Sequence, residues 1–482
     1  MARICHFACR ALAVTAAAAF SVSLLFSGSA HANGRFPASN QLLVDSRDPN
    51  RLWLRATQGL LTSPDGGCTW QHICERAFGV EGEQDPPLSV TSTGNLIAAV
   101  FKGVYVSADV GCTWRRSEIP ELNRFAVDVT VEKNDLSRAL VLLSSGRDSG
   151  PGNLNQVWRS VDAGESWSKV GADLDPQLRL DTIDPAPSDP TQLFMTAQYQ
   201  SESGLEDVGL LLHSQDGGVT WTERPIPGTN SDWVAFLSAV HPQDAKKLYV
   251  RVRGPVTARD SGQYVENRLL YSADAGLTWT EILKRSADML GFALSPDGSK
   301  VFIGMGDSRA LGGLRPVNRE ELGIYRASTA DHQFTRVHEG HVGCLTWAAA
   351  GLYVCTSEFS QKFELGLSQD EGQTVNAVMH LAGIKEPLQC AAGTSVASSC
   401  DERSWHDVCA ATNRCEEFTF EPLPIVLPRQ CRAPSSSSGN EDSGGGCVFA
   451  GNSASGGLLL GVFALGWFAA RRRRRRKNAP LP

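Results

Sequence analysis

Six carboxylate side chains stand in segments that separate apolar stretches of the sequence, and they are candidates for acid–base chemistry. They are Glu206, Asp207, Asp260, Glu266, Glu320 and Glu321. A pair of carboxyl groups, one donating a proton and the other acting as base or nucleophile, is the arrangement that hydrolyses glycosidic bonds. Solvated loops are also rich in carboxylates, and the sequence gives no distance between any two. We therefore predict no catalytic residue and keep glycoside hydrolysis as the alternative.

A second group of residues mixes cations, a carboxylate and aromatic rings, which suits a polar ligand such as a sugar or a peptide segment. The ligand-binding candidates are Arg124, Arg179, Asp232, Trp233, His341, Tyr264 and Arg309, with His338, Arg147, Tyr199 and Arg319 in the same segments. No Cys or Cys/His grouping has the spacing of a zinc site, so neither a metal nor another cofactor is expected. Whether these side chains lie close together depends on the secondary-structure elements that carry them.

An eight-residue motif recurs along the chain. Ser63-Pro-Asp-Gly-Gly-Cys-Thr-Trp70 is the first of five strict copies, and a sixth copy ends in Val375 instead of Trp. The repeated positions are Ser63, Asp65, Gly67 and Trp70; Ser107, Asp109, Gly111 and Trp114; Ser160, Asp162, Gly164 and Trp167; Ser214, Asp216, Gly218 and Trp221; Ser272, Asp274, Gly276 and Trp279; and Ser368, Asp370 and Gly372. A degenerate copy, residues 324–334, is aligned by its aromatic residues and counted from Ala327, which gives intervals of 44, 53, 54, 58, 55 and 41 residues.

The motif has a physical explanation as a tight turn. Ser and Asp side chains bond to nearby backbone amides, Gly adopts a positive φ, and Trp supplies a large apolar surface that locks the hairpin. It resembles the Asp-box, or BNR repeat, of the sialidase-like and sortilin-like β-propellers. The resemblance implies that the turn is structural, so its aspartates are interpreted neither as catalytic groups nor as calcium ligands.

The interval between copies accommodates one four-stranded sheet per motif, which predicts an all-β fold. We expect an antiparallel β-propeller of about seven blades over residues 33–383, with six or eight blades as alternatives. Residues 384–433 lack the motif and are rich in Cys, which predicts a small disulfide-stapled appendage with short helices.

Within each blade the strands are labelled A to D in chain order. The A–B and C–D turns share one face of a meander, and the B–C and D–A connections share the other. The long B–C connections are residues 145–156, 198–208, 254–267 and 306–322, in blades three to six. Long loops on a rigid scaffold are where binding usually resides. We therefore predict that a ligand binds on the face opposite the motifs, displaced toward blades three to six.

Sialidases share the repeat, so their site is the natural test for an enzyme. The resemblance would require several arginines for a substrate carboxylate, a Tyr nucleophile with a Glu partner, and an acid/base Asp. The Arg-Ile-Pro signature is absent, and Arg35-Phe-Pro37 is only a faint match. The leading hypothesis is a non-catalytic surface propeller that binds a glycan or protein partner. The alternatives are a sialidase-like glycoside hydrolase and an envelope assembly or scaffold factor.

Thirteen cysteines in an exported chain indicate disulfides. The candidates are Cys68, Cys74, Cys112, Cys344, Cys355, Cys390, Cys400, Cys409, Cys415 and Cys431. Five precede residue 356 and five follow it, so complete pairing requires at least one bridge between the two regions. Cys344 and Cys355 are expected to pair, because they lie near the start of strand A and the end of strand B of one predicted hairpin, where antiparallel pairing sets them opposite each other.

The N-terminus is typical of a secretory signal peptide. Residues 1–32 combine two Arg, an apolar stretch and a small-x-small site that ends at Ala32. A retained membrane helix is the alternative.

The C-terminus combines a spacer, a cysteine, an apolar stretch and a basic cluster. Residues 434–446 form a Gly/Ser-rich linker, and residues 447–477 contain Cys447, an apolar stretch over 448–470 and seven basic residues. The stretch is long enough to span a bilayer as a helix. This order resembles the MYXO-CTERM sorting signal, which implies a sorting protease acting near Cys447 and attachment at the cell envelope. An ordinary membrane anchor is the alternative.

The charge distribution argues against nucleic acid as a partner. The whole chain carries a net charge of −7, and residues 33–447 alone carry −16 once the basic ends are removed. Binding to a phosphate backbone requires clustered cations, which this acidic region lacks.

Overall fold

The structure is a computed structural model that describes residues 39–400, except 82–83, 120–124, 146–151, 201–207, 255–263, 309–315 and 385. Contacts divide the chain into residues 1–433 and 434–482. The predicted signal peptide, the linker and the tail with Ala32 and Cys447 lie outside the described residues. No helix among the described residues is long and apolar enough to cross a membrane.

The described residues form seven antiparallel sheets of four strands each, so the prediction of seven blades is confirmed. Blades one and two contain β1 Ser39–Val44, β2 Leu52–Ala56, β3 Gly59–Ser63 and β4 Gln71–Ile73, then β5 Leu88–Val90, β6 Leu96–Val100, β7 Gly103–Ser107 and β8 Arg115–Arg116. Blades three and four contain β9 Phe125–Glu132, β10 Asp135–Ser145, β11 Leu154–Ser160 and β12 Ser168–Leu174, then β13 Leu178–Ala186, β14 Asp189–Tyr199, β15 Val208–Ser214 and β16 Thr222–Pro225.

The remaining blades follow the same order. Blades five and six contain β17 Val234–Val240, β18 Leu248–Arg253, β19 Asn267–Ser272 and β20 Thr280–Arg285, then β21 Asp288–Leu294, β22 Lys300–Gly306, β23 Gly323–Ser328 and β24 Thr335–Glu339. Blade seven contains β25 Cys344–Ala348, β26 Gly351–Cys355, β27 Leu365–Ser368 and β28 Asn376–Met379. The described residues also contain two short α-helices, α1 Glu358–Gln361 and α2 Ser395–Ser399. They contain 3-10 turns at Glu75–Phe78, Arg319–Glu321 and Leu381–Gly383.

The first strand of every blade contacts the first strands of both neighbouring blades, from β1 through β25 and back to β1. These seven strands therefore form the inner wall of a closed ring. Apolar side chains fill the space between successive sheets, as where Ile97 and Val106 of blade two meet Val141 and Trp158 of blade three. Each described sheet consists of four consecutive strands, so no described strand is shared between the first and last blades. The ring therefore closes by packing of β25 and β26 against β1.

Each repeated motif forms the C–D turn of its blade, as in blade four. The Ser214 hydroxyl accepts a hydrogen bond from Gly218 N at 2.8 Å and donates to Asp216 Oδ1. The same carboxylate accepts from Thr220 N at 2.9 Å. The Ser–Gly bond recurs in all six copies at 2.7–2.9 Å. These aspartates serve their own turns.

The degenerate turn of blade six begins one residue later than predicted. Ser328, not Ala327, is the last residue of β23, and it pairs with Lys300. Ser272 of the strict copy in blade five likewise ends its strand and pairs with Leu248 of strand B. A positive φ of 53° at His332 replaces that of the motif glycine. The aromatic alignment shifted the register because this copy lacks the Gly that marks the turn.

Disulfides attach the segment after blade seven to the first two blades. Cys74 pairs with Cys400 and Cys112 with Cys390, which confirms the expected bridge between the two Cys regions. Cys344 pairs with Cys355 as predicted, and Cys68 is also disulfide-bonded. Leu388 N donates to His72 O at 2.8 Å, so the segment also pairs with the outer edge of blade one. Cys409, Cys415 and Cys431 lie outside the described residues.

Candidate functional site

A cavity of about 660 Å³ opens on the face that carries the B–C and D–A connections. It lies where the inner strands of blades two, three and four begin. Its lining residues are Gln84, Asp85, Pro86, Pro87, Ala99, Phe101, Phe125, Ala126, Val127, Ser144, Asn153, Arg179 and Leu180. Concave sites of this size on a rigid scaffold are typical ligand positions. The cavity lies on the predicted face but is centred on blades two to four, whereas the loop lengths favoured blades three to six.

Two exposed phenylalanines form one wall of the cavity. Phe101 is 55% exposed and Phe125 is 45% exposed, and their rings meet edge to face with centroids 5.5 Å apart. Phe101 occupies the tight B–C turn of blade two, and Phe125 begins β9. Adjacent exposed apolar side chains are a feature of interaction surfaces. This pair was not among the predicted binding residues, because Phe101 lies in a tight turn and the prediction rested on the long loops.

The loop that leads into blade two is held rigidly against the cavity. Arg55 Nη1 donates to Asp85 O at 3.0 Å and to Pro86 O at 2.6 Å. Gln41 Nε2 donates to Leu88 O at 2.9 Å. Burial lowers the pKa of Arg55 to about 10, against the opposing attraction of Asp85 and Asp128, so the side chain stays charged at neutral pH. The wall is therefore preorganised before any ligand arrives.

Arg179 supplies a positive charge at the cavity. Its side chain is 40% exposed, and its Nε lies 3.5 Å from Asp181 Oδ1. Burial raises the pKa of Asp181 to about 6, although Arg179 opposes the shift. Of the residues predicted to bind ligand, Arg179 is the one that the structure places on the described cavity wall.

Two further carboxylates lie between the inner strands of blades three and four. Asp128 accepts hydrogen bonds from Ile183 N at 3.0 Å and Val129 N at 2.9 Å. The Thr130 hydroxyl donates to Asp184 at 3.1 Å. Desolvation by the surrounding protein, reinforced by the nearby charge of Asp184, raises the pKa of Asp128 to about 7. Both carboxylates accept hydrogen bonds from neighbouring strands, which assigns them a structural part in joining the two blades.

Trp233 and Asp232 lie in the connection between blades four and five. The Trp233 ring packs under Arg268, with the guanidinium carbon 4.0 Å from the ring centroid, and contributes to the core beside blade five. Asp232 is exposed, and its backbone N–H donates to Asn230 Oδ1. Trp233 was predicted to be an aromatic residue that binds ligand. In the structure it is a partly buried packing residue.

The other predicted ligand-binding residues are dispersed. His341 is buried, accepts a hydrogen bond from Asp307 N at 2.9 Å, and has a pKa lowered by burial to about 4. Tyr264 is 52% exposed, and Tyr199 donates to Gln177. His338 lies in β24, not in a connection as expected. Arg319 lies in a 3-10 turn. Arg124, Arg147 and Arg309 lie outside the described residues.

The described loop carboxylates have local partners. Glu266 is ion-paired with Arg268 and Lys284. Burial alone would raise the pKa of Glu266, but the two cations outweigh it and hold the pKa below its usual value. Glu321 accepts a hydrogen bond from Ser286 N. Glu320 lies in a 3-10 turn, and Glu206, Asp207 and Asp260 lie outside the described residues. No group of three or more metal-ligating side chains occurs within the ranges that the structure describes.

Comparisons with known proteins identify the fold. No protein-family profile matches the chain, and no curated protein matches it. An ancestral GH74 enzyme is similar at 12% identity and a TM-score of 0.50, over 71% of this chain and 46% of its own. A GH74 xyloglucanase from Xanthomonas campestris is 15% identical, with 73% and 66% coverage and a TM-score of 0.33. The extracellular domain of a putative hybrid two-component system from B. thetaiotaomicron is 10% identical, with 68% and 38% coverage and a TM-score of 0.43.

The first of these similarities establishes a shared propeller fold. The chain spans about half of that enzyme's length, namely 46%. At this identity the similarity carries no residue roles.

Proposed function

We propose that the chain is a non-catalytic, exported Asp-box propeller of the sialidase-like and sortilin-like type that binds a glycan or protein partner. Its ligand occupies the cavity between blades two, three and four. The observation that carries the proposal is the exposed Phe101–Phe125 pair on a preorganised wall, with the Arg179 charge on the same cavity. An aromatic surface beside a fixed charge is a common recognition arrangement. Asp232, Trp233, His341 and Tyr264 stay candidates for a wider site on this face.

The proposed location is the cell envelope, with a sorting protease acting on the C-terminal tail or the tail anchoring the chain in the membrane. Disulfides between distant parts of the chain support export, because such bonds persist in oxidising compartments. The acidic charge supports a partner other than nucleic acid.

A sialidase-like glycoside hydrolase is the second candidate, and Asp181 is the observation that favours it. This carboxyl lies one residue beyond Leu180 of the cavity wall and has a pKa of about 6, which suits a proton donor. Asp128, a second carboxyl of the inner strands with a raised pKa, accepts two backbone hydrogen bonds, which fits a structural role better than that of a catalytic partner. An envelope assembly or scaffold factor is the third candidate, and the apolar wall of the cavity would then receive a protein.

Replacing Phe101 and Phe125 together by Ala tests the proposal. The wild type is screened against glycans and purified envelope proteins, and we expect the double variant to bind the retained ligand about tenfold more weakly or worse, because aromatic anchors dominate such sites. Leu277→Ala is the matched control, since Leu277 is 68% exposed in a motif turn on the opposite face. Unchanged affinity in a folded double variant places the site elsewhere, and turnover of a glycan by wild type favours the hydrolase.

A further inference from the structure

The polar side chains of the cavity wall are largely engaged by the protein itself. Gln84 accepts a hydrogen bond from Phe101 N at 3.0 Å and donates to Glu81 O at 3.0 Å. Asn153 donates to Leu178 O at 3.2 Å. Ser144 donates to Asn155 Oδ1 at 2.8 Å. A ligand dense in hydroxyl groups would regain few of the hydrogen bonds that it loses to water at these three side chains, which costs binding free energy.

The rest of the wall is mainly apolar. The apolar lining residues are Pro86, Pro87, Ala99, Phe101, Phe125, Ala126, Val127 and Leu180. Burying a large aliphatic or aromatic side chain against such a surface is favourable in proportion to the apolar area removed from water. The wall thus suits a bulky hydrocarbon group better than a sugar ring.

Asp85 and Arg179 are the charged residues that line the described cavity, and the negative charge of Asp85 is opposed by that of the buried Arg55 nearby. Arg179 therefore selects an acidic neighbour for that group. Arg179 is exposed enough to be reached, and its guanidinium presents several donors in a fixed plane. Its contact with Asp181 involves Nε at 3.5 Å, and the far edge of the guanidinium carries the remaining donors. Arginine and a carboxylate form strong, often bidentate pairs.

We infer that the cavity binds a protein segment in which a large apolar side chain stands beside an Asp or Glu. The apolar side chain packs against Phe101 and Phe125, and the carboxylate pairs with Arg179. This inference rests on the proposed function and chooses between its two ligand classes. Glycans are the competing class, and the experiment separates the two.

The test pans a random dodecapeptide library on the full chain and, in parallel, probes a glycan array. Wild type is expected to enrich sequences that place an aromatic or large aliphatic residue next to Asp or Glu. Arg179→Gln should keep the apolar preference and lose the acidic one, Arg179→Lys should keep both, and Phe101→Ala should abolish enrichment. Leu277→Ala is the control that must behave as wild type, and melting curves establish that each variant is folded.

A synthetic peptide from the enriched set supplies the quantitative arm. Arg179→Gln should raise its Kd about tenfold at low ionic strength, as expected for loss of a charge-assisted pair. The salt dependence of binding should flatten in the same variant. Selection of the same acidic sequences by Arg179→Gln, or no enrichment by wild type, overturns the peptide assignment. Glycan binding by wild type that Phe101→Ala abolishes overturns the peptide assignment but supports the proposed site. Ligand binding that neither Phe101→Ala nor Arg179→Gln changes overturns the proposed site as well.

Discussion

Asp128, which lies between the inner strands of blades three and four, should make the stability of the protein depend on pH. Its pKa of about 7 in the folded protein exceeds the usual 3.8, because surrounding protein desolvates the carboxylate and Asp184 repels it. A raised pKa contributes stability that is complete below pH 4 and is lost as pH rises through 7. The difference amounts to at most about 4 kcal/mol. Asp128→Asn cannot ionise, so its stability relative to wild type should rise between pH 5 and pH 8.

Urea unfolding of both proteins at pH 5 and pH 8 measures this change. Leu277→Ala is the control, because Leu277 is exposed and does not ionise, so its difference from wild type should not vary with pH. A constant difference for Asp128→Asn at the two pH values would mean that this carboxyl is already ionised at pH 5.

Ser214 shows what each motif contributes to its blade. Its hydroxyl satisfies the buried Gly218 N–H and also holds the Asp216 carboxylate. Ser214→Ala leaves a buried donor without a partner, which should lower the free energy of unfolding by about 1–3 kcal/mol. Ser328→Ala is the matched control, since Ser328 holds the same position in blade six, is exposed, and accepts only from Ala330 N at 3.1 Å. Equal losses in the two variants, measured by urea unfolding, would contradict this account.

The same contrast explains how much of the fold the sequence could predict. Six turns were recognisable because Ser, Asp and Gly act within five residues of one another, and these local turns locate six of the seven blades. The degenerate turn was misplaced by one residue because the aromatic positions carry no such constraint. The cavity wall depends on Phe101 and Phe125, which are 24 positions apart in the sequence. Their side chains meet only because blades two and three pack side by side in the propeller. The available signal was an apolar residue in a tight turn, since Phe101 is followed by Lys102 and Gly103.

At the scale of the whole molecule, none of the described strands is shared between the first and last blades where the ring closes. The first and last blades meet through side chains, such as the Ser39 hydroxyl donating to Glu364 O at 2.7 Å, and through apolar packing of Leu42 with Tyr353. The segment after blade seven continues past this seam and is bonded to Cys74 and Cys112 of blades one and two. No sequence pattern marks the seam, and only Cys parity indicated that the segment is tied back.

The two long-range disulfides should therefore act as a clasp on the ring. Replacing Cys74, Cys112, Cys390 and Cys400 by Ala should speed amide hydrogen exchange in β1 and β25–β28 by about tenfold or more, since a disulfide typically contributes about 2–4 kcal/mol. The amides of β14 and β18 in blades four and five are the internal control, because those blades lie away from both seam and clasp. Equal acceleration in all blades would mean that the disulfides stabilise the ring only globally, and no acceleration at β1 would mean that side-chain packing alone closes it.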